Sequence, residues 1–427
     1  MILLNYKYYL KTILLFLSIG IGEKLYAQVD SNDTKKSKTS FGAVPILSYD
    51  TDLGLRYGAV INYFKYNDSV SENYSENIYL KVFNTTSKSF QIQSVYETDN
   101  LFKKSKVFIE GTYLNDKTYD FYGYNGHQSI YNPSFEDPLH QSFLHKNFYS
   151  INRELTRFRF DYQRHLTSPN LRILLGLTLN KLNIIHDQSD TNLYDFYNNL
   201  DVIQDDEIKG GTINYLSIGM VYEKRNNQIY CSKGKWFESF LVISPTLFST
   251  EAFSKCVVSF RSYDQILKSK FILMTRASVQ LRTSGIIPSY LKSTYFDTKL
   301  NQDGLGGAFN LRGFSRNRIV SEGFGLLNLE IRKNIYQTKF KKTIIDCDLS
   351  IFSDNALILQ DHKIKKESIS VQNQLKHFDF NLKYHYSTLG LGAYFILNRN
   401  NVISINYGVP LIPNTKGAIY IGSSFLF

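Results

Sequence analysis

The sequence lacks any apolar run of the roughly 20 residues that a membrane-spanning helix requires. Its N-terminal apolar stretch, residues 12–22, is too short to cross a bilayer. That stretch follows Lys7 and Lys11 and ends shortly before a small-residue cleavage position at Ala27, which is the arrangement of a secretory signal peptide. We therefore predict an exported chain with a signal peptide at residues 1–27 and no helical anchor.

Cysteine is scarce and scattered. The three cysteines, Cys231, Cys256 and Cys347, lie far apart and show no Cys-x-x-Cys spacing. A metal knuckle or a dithiol redox centre needs such spacing. We therefore predict no metal and no cofactor.

Motifs of catalysis are also missing. The sequence has no Gly-x-Ser-x-Gly nucleophile elbow, no His-Glu-x-x-His zinc motif and no P-loop. An outer-membrane lipid hydrolase would need a serine and a histidine on adjacent lipid-facing strands, and no pattern singles out such a pair. His165 and His385, each with a nearby serine, are the remaining candidates. We predict that the protein is not an enzyme. Lipid hydrolysis is kept as a disfavoured alternative, ranked third after the two functions given at the end of this subsection.

Tryptophan occurs once, whereas 32 Tyr and 31 Phe bring the aromatic share to 15%. Tyrosine suits the bilayer interface, where its ring is in apolar surroundings and its hydroxyl stays wet. In an exported chain without helical spans, this composition favours an outer-membrane barrel.

The formal net charge is +11, and Lys and Arg are dispersed along the chain. Nucleic-acid binding would predict a compact basic domain, so we predict no nucleic-acid partner. A basic lumen with basic loops would instead attract lipopolysaccharide phosphates or anionic solutes.

Residues of opposite character alternate in several segments. In residues 157–163 aromatic side chains alternate with charged or polar ones, and residues 271–282 show a similar pattern. Such a strand has one face for lipid and one for a wet lumen. We predict an all-β fold, a transmembrane antiparallel β-barrel of about 16 strands. Its longer loops are predicted at residues 122–147, 187–211 and 361–375.

One glycine-rich stretch combines residues that soluble cores rarely place together. Arg312, Gly313 and Phe314 follow the turn, and Asn328 and Glu330 then share one face of a strand. The stretch resembles the BamA/TamA superfamily of outer-membrane barrels, whose infolded sixth extracellular loop carries an Arg-Gly-Phe tip. The resemblance implies a lumen partly filled by an infolded extracellular loop.

The resemblance also implies roles for individual residues. Arg312 would enter the lumen and meet a carboxylate on the wall, with Asp354 as the first candidate and Glu330 as the second. A guanidinium in a partly desolvated lumen needs a carboxylate and further acceptors, which its planar fork suits. Gly313 would permit a tight turn, and Phe314 would pack against the wall. We call these contacts of the loop tip the predicted latch; the alternative is that Arg312 lies in a solvated loop.

Further segments resemble the same superfamily. Residues 45–49 resemble the entry into the first barrel strand, residues 223–226 a hairpin before the latter half of the barrel, and residues 352–354 a Phe-x-Asp strand motif. An alternating C-terminal strand with Phe425 and Phe427 resembles the signal that the barrel-assembly machinery reads. The alternative is an ordinary amphipathic last strand.

The resemblance spans residues 41–427, which we predict to be the barrel. BamA and TamA carry periplasmic POTRA domains before the barrel. Here residues 28–40 are predicted to be a short periplasmic linker, too short for an independent domain. We therefore predict a barrel-only member without POTRA domains.

The leading functional hypothesis is insertion or translocation of proteins, or of lipids, at the outer membrane. The resemblance implies a weakly paired seam, near residues 55–66 and 417–427, that opens for a client. The predicted partners are outer-membrane lipids and lipopolysaccharide, client polypeptides or a periplasmic partner, and the barrel-assembly machinery during biogenesis. The alternative is a passive pore or a surface-structural barrel.

Overall fold

Sixteen antiparallel strands form one closed sheet in the described part of the protein, each strand paired with its neighbours in the chain. The computed structural model describes residues 39–50, 54–66, 73–185, 192–247, 249–267, 271–299, 301, 303–340, 343–381, 385–398, 401–412 and 415–422. The strands are β1 Thr39–Asp50, β2 Gly54–Lys65, β3 Glu76–Thr85, β4 Phe90–Thr98, β5 Ser105–Asp120, β6 Ser150–His165, β7 Leu171–Ile185, β8 Gly210–Arg225, β9 Gly234–Ser244, β10 Phe253–Ile266, β11 Phe271–Gly285, β12 Gly323–Phe340, β13 Thr343–Gln360, β14 His385–Leu397, β15 Asn401–Pro410 and β16 Ala418–Gly422. The predicted all-β antiparallel barrel is confirmed.

The helices of the described residues lie in the connections between strands. They comprise α1 Leu193–Asn199, α2 Val371–His377 and 3-10 turns at Gly126–Gln128, Pro133–Phe135, Ser289–Leu291 and Lys366–Ser368. Within the described ranges, no helix has both the length and the apolar character needed to cross a membrane.

Burial alternates along the strands as the sequence pattern predicts. In β6, Phe158 is 45% exposed, whereas Arg159 and Asp161 on the other face are buried. In β7, Leu179 is exposed and Thr178 is buried. Apolar residues outside and polar residues inside are the arrangement of a membrane-spanning barrel.

The barrel closes between β1 and β16. Strand β1 pairs with β2 along all 12 of its residues, whereas its described pairing with β16 is the single contact of Asp50 with Tyr420. The seam predicted near residues 55–66 is wrong by one strand, because that segment forms β2. Proline weakens the strand signal of β1, yet Pro45 is tolerated there because β1 lies at the seam.

The connections at the two ends of the barrel differ in length. Long connections follow β5, β7, β11 and β13 at one end, whereas only two residues separate β12 from β13 at the other. Long loops are typical of the extracellular side and short turns of the periplasmic side. The predicted loops at residues 122–147 and 361–375 lie in the long connections, and 187–211 runs two residues into β8. We refer below to residues 286–322 as the β11–β12 loop and to residues 226–233 as the β8–β9 turn.

Some sequence predictions concern residues outside the described ranges. These are the signal peptide at residues 1–27 and the C-terminal phenylalanines Phe425 and Phe427. Strand β1 begins at Thr39, two residues before the predicted start of the barrel at residue 41.

Candidate functional site

Arg312 lies at the tip of the β11–β12 loop and is fully buried. Its Nε and Nη2 donate to the two oxygens of Asp354 at 2.8 and 3.0 Å, and its backbone N–H donates to the same carboxylate at 3.0 Å. Its Nη1 donates to Glu330 Oε2 at 2.9 Å and to Asn406 Oδ1 at 3.3 Å. The structure thus brings Arg312 together with Asp354 of β13 and Glu330 of β12.

Two carboxylates hold the charge of this buried guanidinium. Burial alone would lower the pKa of Arg312, but the charges of Asp354 and Glu330 outweigh it and raise the pKa above its usual value. The guanidinium carbon also lies 3.3 Å from the ring centre of Phe352, a cation–π contact. Tyr394 of β14 donates to the second Glu330 oxygen at 2.7 Å. Arg312 therefore stays charged and fixed.

Gly313 and Phe314 connect the loop tip to the last two strands. Gly313 has φ 107°, and a Cβ there would lie 2.9 Å from the backbone of Gly408 in β15, so a side chain would not fit. The N–H of Gly313 donates to the Tyr420 hydroxyl at 3.1 Å, and that hydroxyl donates to the Phe314 carbonyl at 3.0 Å. Phe314 is buried and meets Tyr386 edge-on at 5.7 Å. The tip is therefore bonded to β16 by two hydrogen bonds.

Further ion pairs, which sequence reasoning missed, tie the same loop to other strands. Arg316 pairs with Asp116 at 2.8 Å and with Asp120 at 3.0 Å, both in β5. Asp303 accepts from both terminal nitrogens of Arg153 in β6, at 2.9 and 3.2 Å. These pairs hold the loop on the side of the barrel away from the latch.

Asp297 provides another anchor for the loop. Its carboxylate pairs with Arg261 of β10, and its backbone carbonyl accepts from Arg159 of β6 at 2.9 Å. Beside it, Thr298 donates to Glu238 of β9. Inward-facing charges on the strands indicate a polar lumen, but the sequence carries no signal for which loop residue each of them meets.

The β8–β9 turn contacts strands that are distant in the barrel. The Tyr230 hydroxyl donates to Asp348 Oδ2 of β13 at 2.9 Å, and Arg332 Nη2 of β12 donates to the Cys231 carbonyl at 2.9 Å. The Tyr230 ring lies 4.9 Å from the guanidinium carbon of Arg332. Ile229 and Tyr230 also pack against apolar side chains of β14 and β15, namely Tyr394, Ile396 and Val402. The turn therefore extends from β8 and β9 to β12–β15.

Aromatic side chains from three connections meet at the loop end of the barrel. The β5–β6, β7–β8 and β13–β14 connections contribute Tyr149, Tyr197 and Phe378 to one buried cluster. His377 lies against this cluster, 4.4 Å from the ring centre of Phe196. Arg318 Nη2 of the β11–β12 loop donates to His127 Nδ1 at 3.0 Å, so His127 joins the β5–β6 connection to that loop.

Acidification is expected to loosen the loop contacts of His127 and His377. Burial and then the charge of Arg318 lower the pKa of His127 to about 3, and burial with Lys376 lowers the pKa of His377 to about 4. The unfolded value is about 6.5, so below it the unfolded state binds protons that the folded state does not. The stability that comes with keeping these two histidines neutral is fully present above about pH 6.5. It is lost as the pH falls through that range, towards about 4 for His377 and about 3 for His127.

Hydrogen exchange of the loop amides, normalised to intrinsic rates, measures this effect. We expect protection to decrease between about pH 7 and about pH 5. His377→Phe should reduce that pH dependence, because it removes one titrating group from an aromatic site. His140→Phe is the control, because His140 is exposed. An unchanged pH dependence in His377→Phe would contradict the assignment.

His385 and Ser387, a candidate pair for hydrolysis, lie on β14 with Nε2 and Oγ 3.3 Å apart. The Ser387 hydroxyl donates to Asn355 Oδ1 at 2.7 Å, so its proton points away from the imidazole. His165 is the last residue of β6. Among the described residues, no group of His, Cys, Asp and Glu has the arrangement of a metal site.

Solved structures share the fold of this chain. BamA from Haemophilus ducreyi lacking POTRA domains 1-3 is similar with a TM-score of 0.55 at 15% identity, over 91% of this chain and 70% of that one. CdiB from Escherichia coli is similar with a TM-score of 0.55 at 11% identity, over 91% of this chain and 63% of that one. The chain therefore spans about two thirds of the length of these relatives. No curated protein sequence matches the chain.

The sequence matches the Omp85 superfamily domain over residues 20–412. This match covers most of the chain, including nearly all of the closed barrel. The predicted relationship to the BamA type of barrel is confirmed: the chain belongs to the Omp85 superfamily of outer-membrane β-barrels.

Proposed function

We propose that this barrel inserts or translocates polypeptides, or lipids, by opening the seam between β1 and β16. The observation that carries the proposal is the contact between the loop tip and the seam. Tyr420 of β16 bonds to Gly313 and Phe314, and the same residue pairs with Asp50 of β1. The strand that must move when the seam opens is therefore held by the predicted latch.

The β11–β12 loop, in this proposal, folds into the lumen and partly fills it. Its contacts support this placement. Arg316 and Asp303 reach β5 and β6, Asp297 reaches β10, and Arg312 reaches β12 and β13. These strands lie on several sides of the closed sheet, and a loop outside the barrel would not meet inward-facing side chains from all of them.

The edge of β1 is the proposed docking position for a client. Strand β1 is one of the two strands that close the barrel, and it pairs with β16 at Asp50. Phe41 and Leu47 on its outer face are 62% and 64% exposed, as suits a strand in contact with lipid. A strand edge accepts a further strand through main-chain hydrogen bonds.

Several partners follow as part of the same proposal. Client polypeptides would pair with β1, and a periplasmic partner would deliver them. Outer-membrane lipids and lipopolysaccharide would surround the barrel, and the barrel-assembly machinery would insert it during biogenesis. The proposed location is the cell outer membrane, reached with the predicted signal peptide.

Tyr420→Phe is expected to loosen the seam. The change removes the hydroxyl that bonds to Gly313 and Phe314 but keeps the ring. The buried N–H of Gly313 then loses its acceptor, at a cost of about 1–3 kcal/mol, whereas the Phe314 carbonyl still accepts from the N–H of Gly307. We expect faster hydrogen exchange in β16 and in the loop tip, measured by mass spectrometry on the protein in lipid nanodiscs.

Tyr407→Phe is the matched control for this measurement. Tyr407 lies on the neighbouring strand β15 and is 45% exposed. Its substitution should leave exchange in β16 unchanged. Equal exchange in Tyr420→Phe and the wild type would remove the observation on which the proposed opening rests.

A passive pore or surface-structural barrel is the second candidate function, and the many anchors of the loop favour it. Ion pairs through Arg312, Arg316 and Asp303 would hold the lumen in one arrangement. Cells carrying Arg312→Ala separate the two functions. Impaired assembly of other outer-membrane barrels supports insertion or translocation, whereas normal assembly with altered conductance supports the passive pore.

A further inference from the structure

A cavity of about 240 Å³ lies between the β11–β12 loop and the inner wall of β2–β8, away from Arg312 and its carboxylates. At roughly 30 Å³ per water molecule, it has room for a small hydrated anion. Its charged lining is unbalanced. Five cationic side chains face two carboxylates there, namely Arg56, Lys81, Arg153, Arg157 and Arg316 against Asp116 and Asp303. Glu110 and Asp120 pair with Arg157 and Arg316 from outside the lining, so an excess of one positive charge remains.

Two arginines of the lining keep an unused donor. Arg153 pairs with Asp303, and Arg157 pairs with Glu110 at 2.8 Å. The Nε–H groups of both arginines are nevertheless buried and make no hydrogen bond within the described part of the chain. Arg153 is only 3% exposed. A buried donor without an acceptor costs free energy, which an oxygen atom of a ligand would restore.

Lys81 adds a cation that no carboxylate of the described residues matches. Within the described ranges it takes part in no ion pair. Its Nζ lies 5.0 Å from the ring centre of Phe83, and the guanidinium carbon of Arg56 lies 5.7 Å from the same centre. Two cations beside one ring repel each other in a partly desolvated space. An anion between Lys81 and the arginine donors would offset that repulsion.

We propose that this cavity binds a phosphate group. Lys81 supplies the compensating charge, and the Nε–H groups of Arg153 and Arg157 donate to the phosphate oxygens. Phosphate suits this set because it combines negative charge with several strong acceptors. The group belongs either to a free phosphate or to a lipid headgroup. This site is independent of the proposed opening of the seam.

Calorimetric titration of the purified full chain with inorganic phosphate tests the site, in zwitterionic detergent at constant ionic strength. We expect saturable binding by the wild type, and affinity lower by about tenfold or more in Lys81→Gln. Lys81→Arg should keep most of the affinity. Lys333→Gln is the matched control, because Lys333 also lies over an aromatic ring, 5.3 Å from the centre of Phe271, but outside the cavity.

A second titration, with vesicles of phosphatidylglycerol against vesicles of phosphatidylcholine, distinguishes the two sources of phosphate. Binding of inorganic phosphate that depends on Lys81 assigns a free phosphate. Binding of phosphatidylglycerol alone, also dependent on Lys81, assigns a lipid headgroup. Either result supports the site. Absence of saturable binding in both titrations, or equal affinities in Lys81→Gln and the wild type, overturns it.

Arg157→Lys keeps the test decisive if Lys81→Gln fails to fold. The lysine preserves the charge beside Glu110 but lacks the Nε–H of the guanidinium. We expect a severalfold loss of phosphate affinity in a barrel that still shows heat-modifiable migration. An unchanged phosphate affinity in folded Arg157→Lys would remove the arginine donors from the site and overturn the proposal.

Discussion

Arg312→Ala is expected to cost about 3–5 kcal/mol of the free energy of unfolding, because it leaves two buried carboxylates without their shared cation. Asp354 and Glu330 are 0% and 1% exposed, so bulk water does not replace the guanidinium. Chemical unfolding of the barrel in lipid vesicles measures the loss. Trp236, the single tryptophan of the sequence, is buried on β9 and reports the transition by its fluorescence.

Two control variants distinguish the loss of the buried ion pairs from the general destabilisation that any Arg→Ala substitution could cause. Arg282→Ala breaks a pair with Glu322 in which the arginine is 32% exposed, and should cost about 1 kcal/mol or less. The triple variant Arg312→Ala/Asp354→Asn/Glu330→Gln neutralises both carboxylates and should recover most of the loss. If Arg312→Ala costs no more than Arg282→Ala, or if the triple variant is no more stable than the single one, the buried pairing does not secure the loop.

The barrel could be predicted from the sequence because its signal is local. Alternation in residues 157–163 shows which side chains of β6 meet lipid, whatever the neighbouring strands are. The first strand was harder to place. Whether Pro45 is tolerated depends on the position of β1 at the seam, and that position is a property of the closed barrel rather than of the segment.

The site was predictable only where a motif repeats a known arrangement. Arg312 and Asp354 stand in such motifs, whereas Arg316 does not. Asp116, which pairs with Arg316, lies 200 residues earlier in the chain, and Asp348 lies 118 residues after Tyr230. A pattern gives the face on which a residue lies, but its partner across the lumen depends on the register of every strand between them.

Conduction through the lumen is expected to require release of both the β11–β12 loop and the β8–β9 turn. Arg312 and Arg316 hold the loop at one end, and Ile229 and Tyr230 hold the turn at the other. When two obstructions lie in series along a pore, the one with the larger resistance limits the current. We expect small single-channel changes in planar bilayers for Ile229→Ala/Tyr230→Ala and for Arg312→Ala/Arg316→Ala. In the variant that combines all four substitutions, the increase in conductance should exceed the sum of the two separate changes.

Ile335→Ala/Tyr336→Ala is the matched control for the turn, because it removes the same two residue types from exposed positions of β12, 53% and 59% exposed. Introduced into the wild type or into Arg312→Ala/Arg316→Ala, these two substitutions should leave the conductance unchanged. If the turn variant alone reaches the conductance of the combined variant, the loop does not obstruct the lumen. If the two changes simply add, the obstructions are not in series. Tyr394 gives a reason to expect coupling, since it packs against the turn and donates to Glu330 beside Arg312.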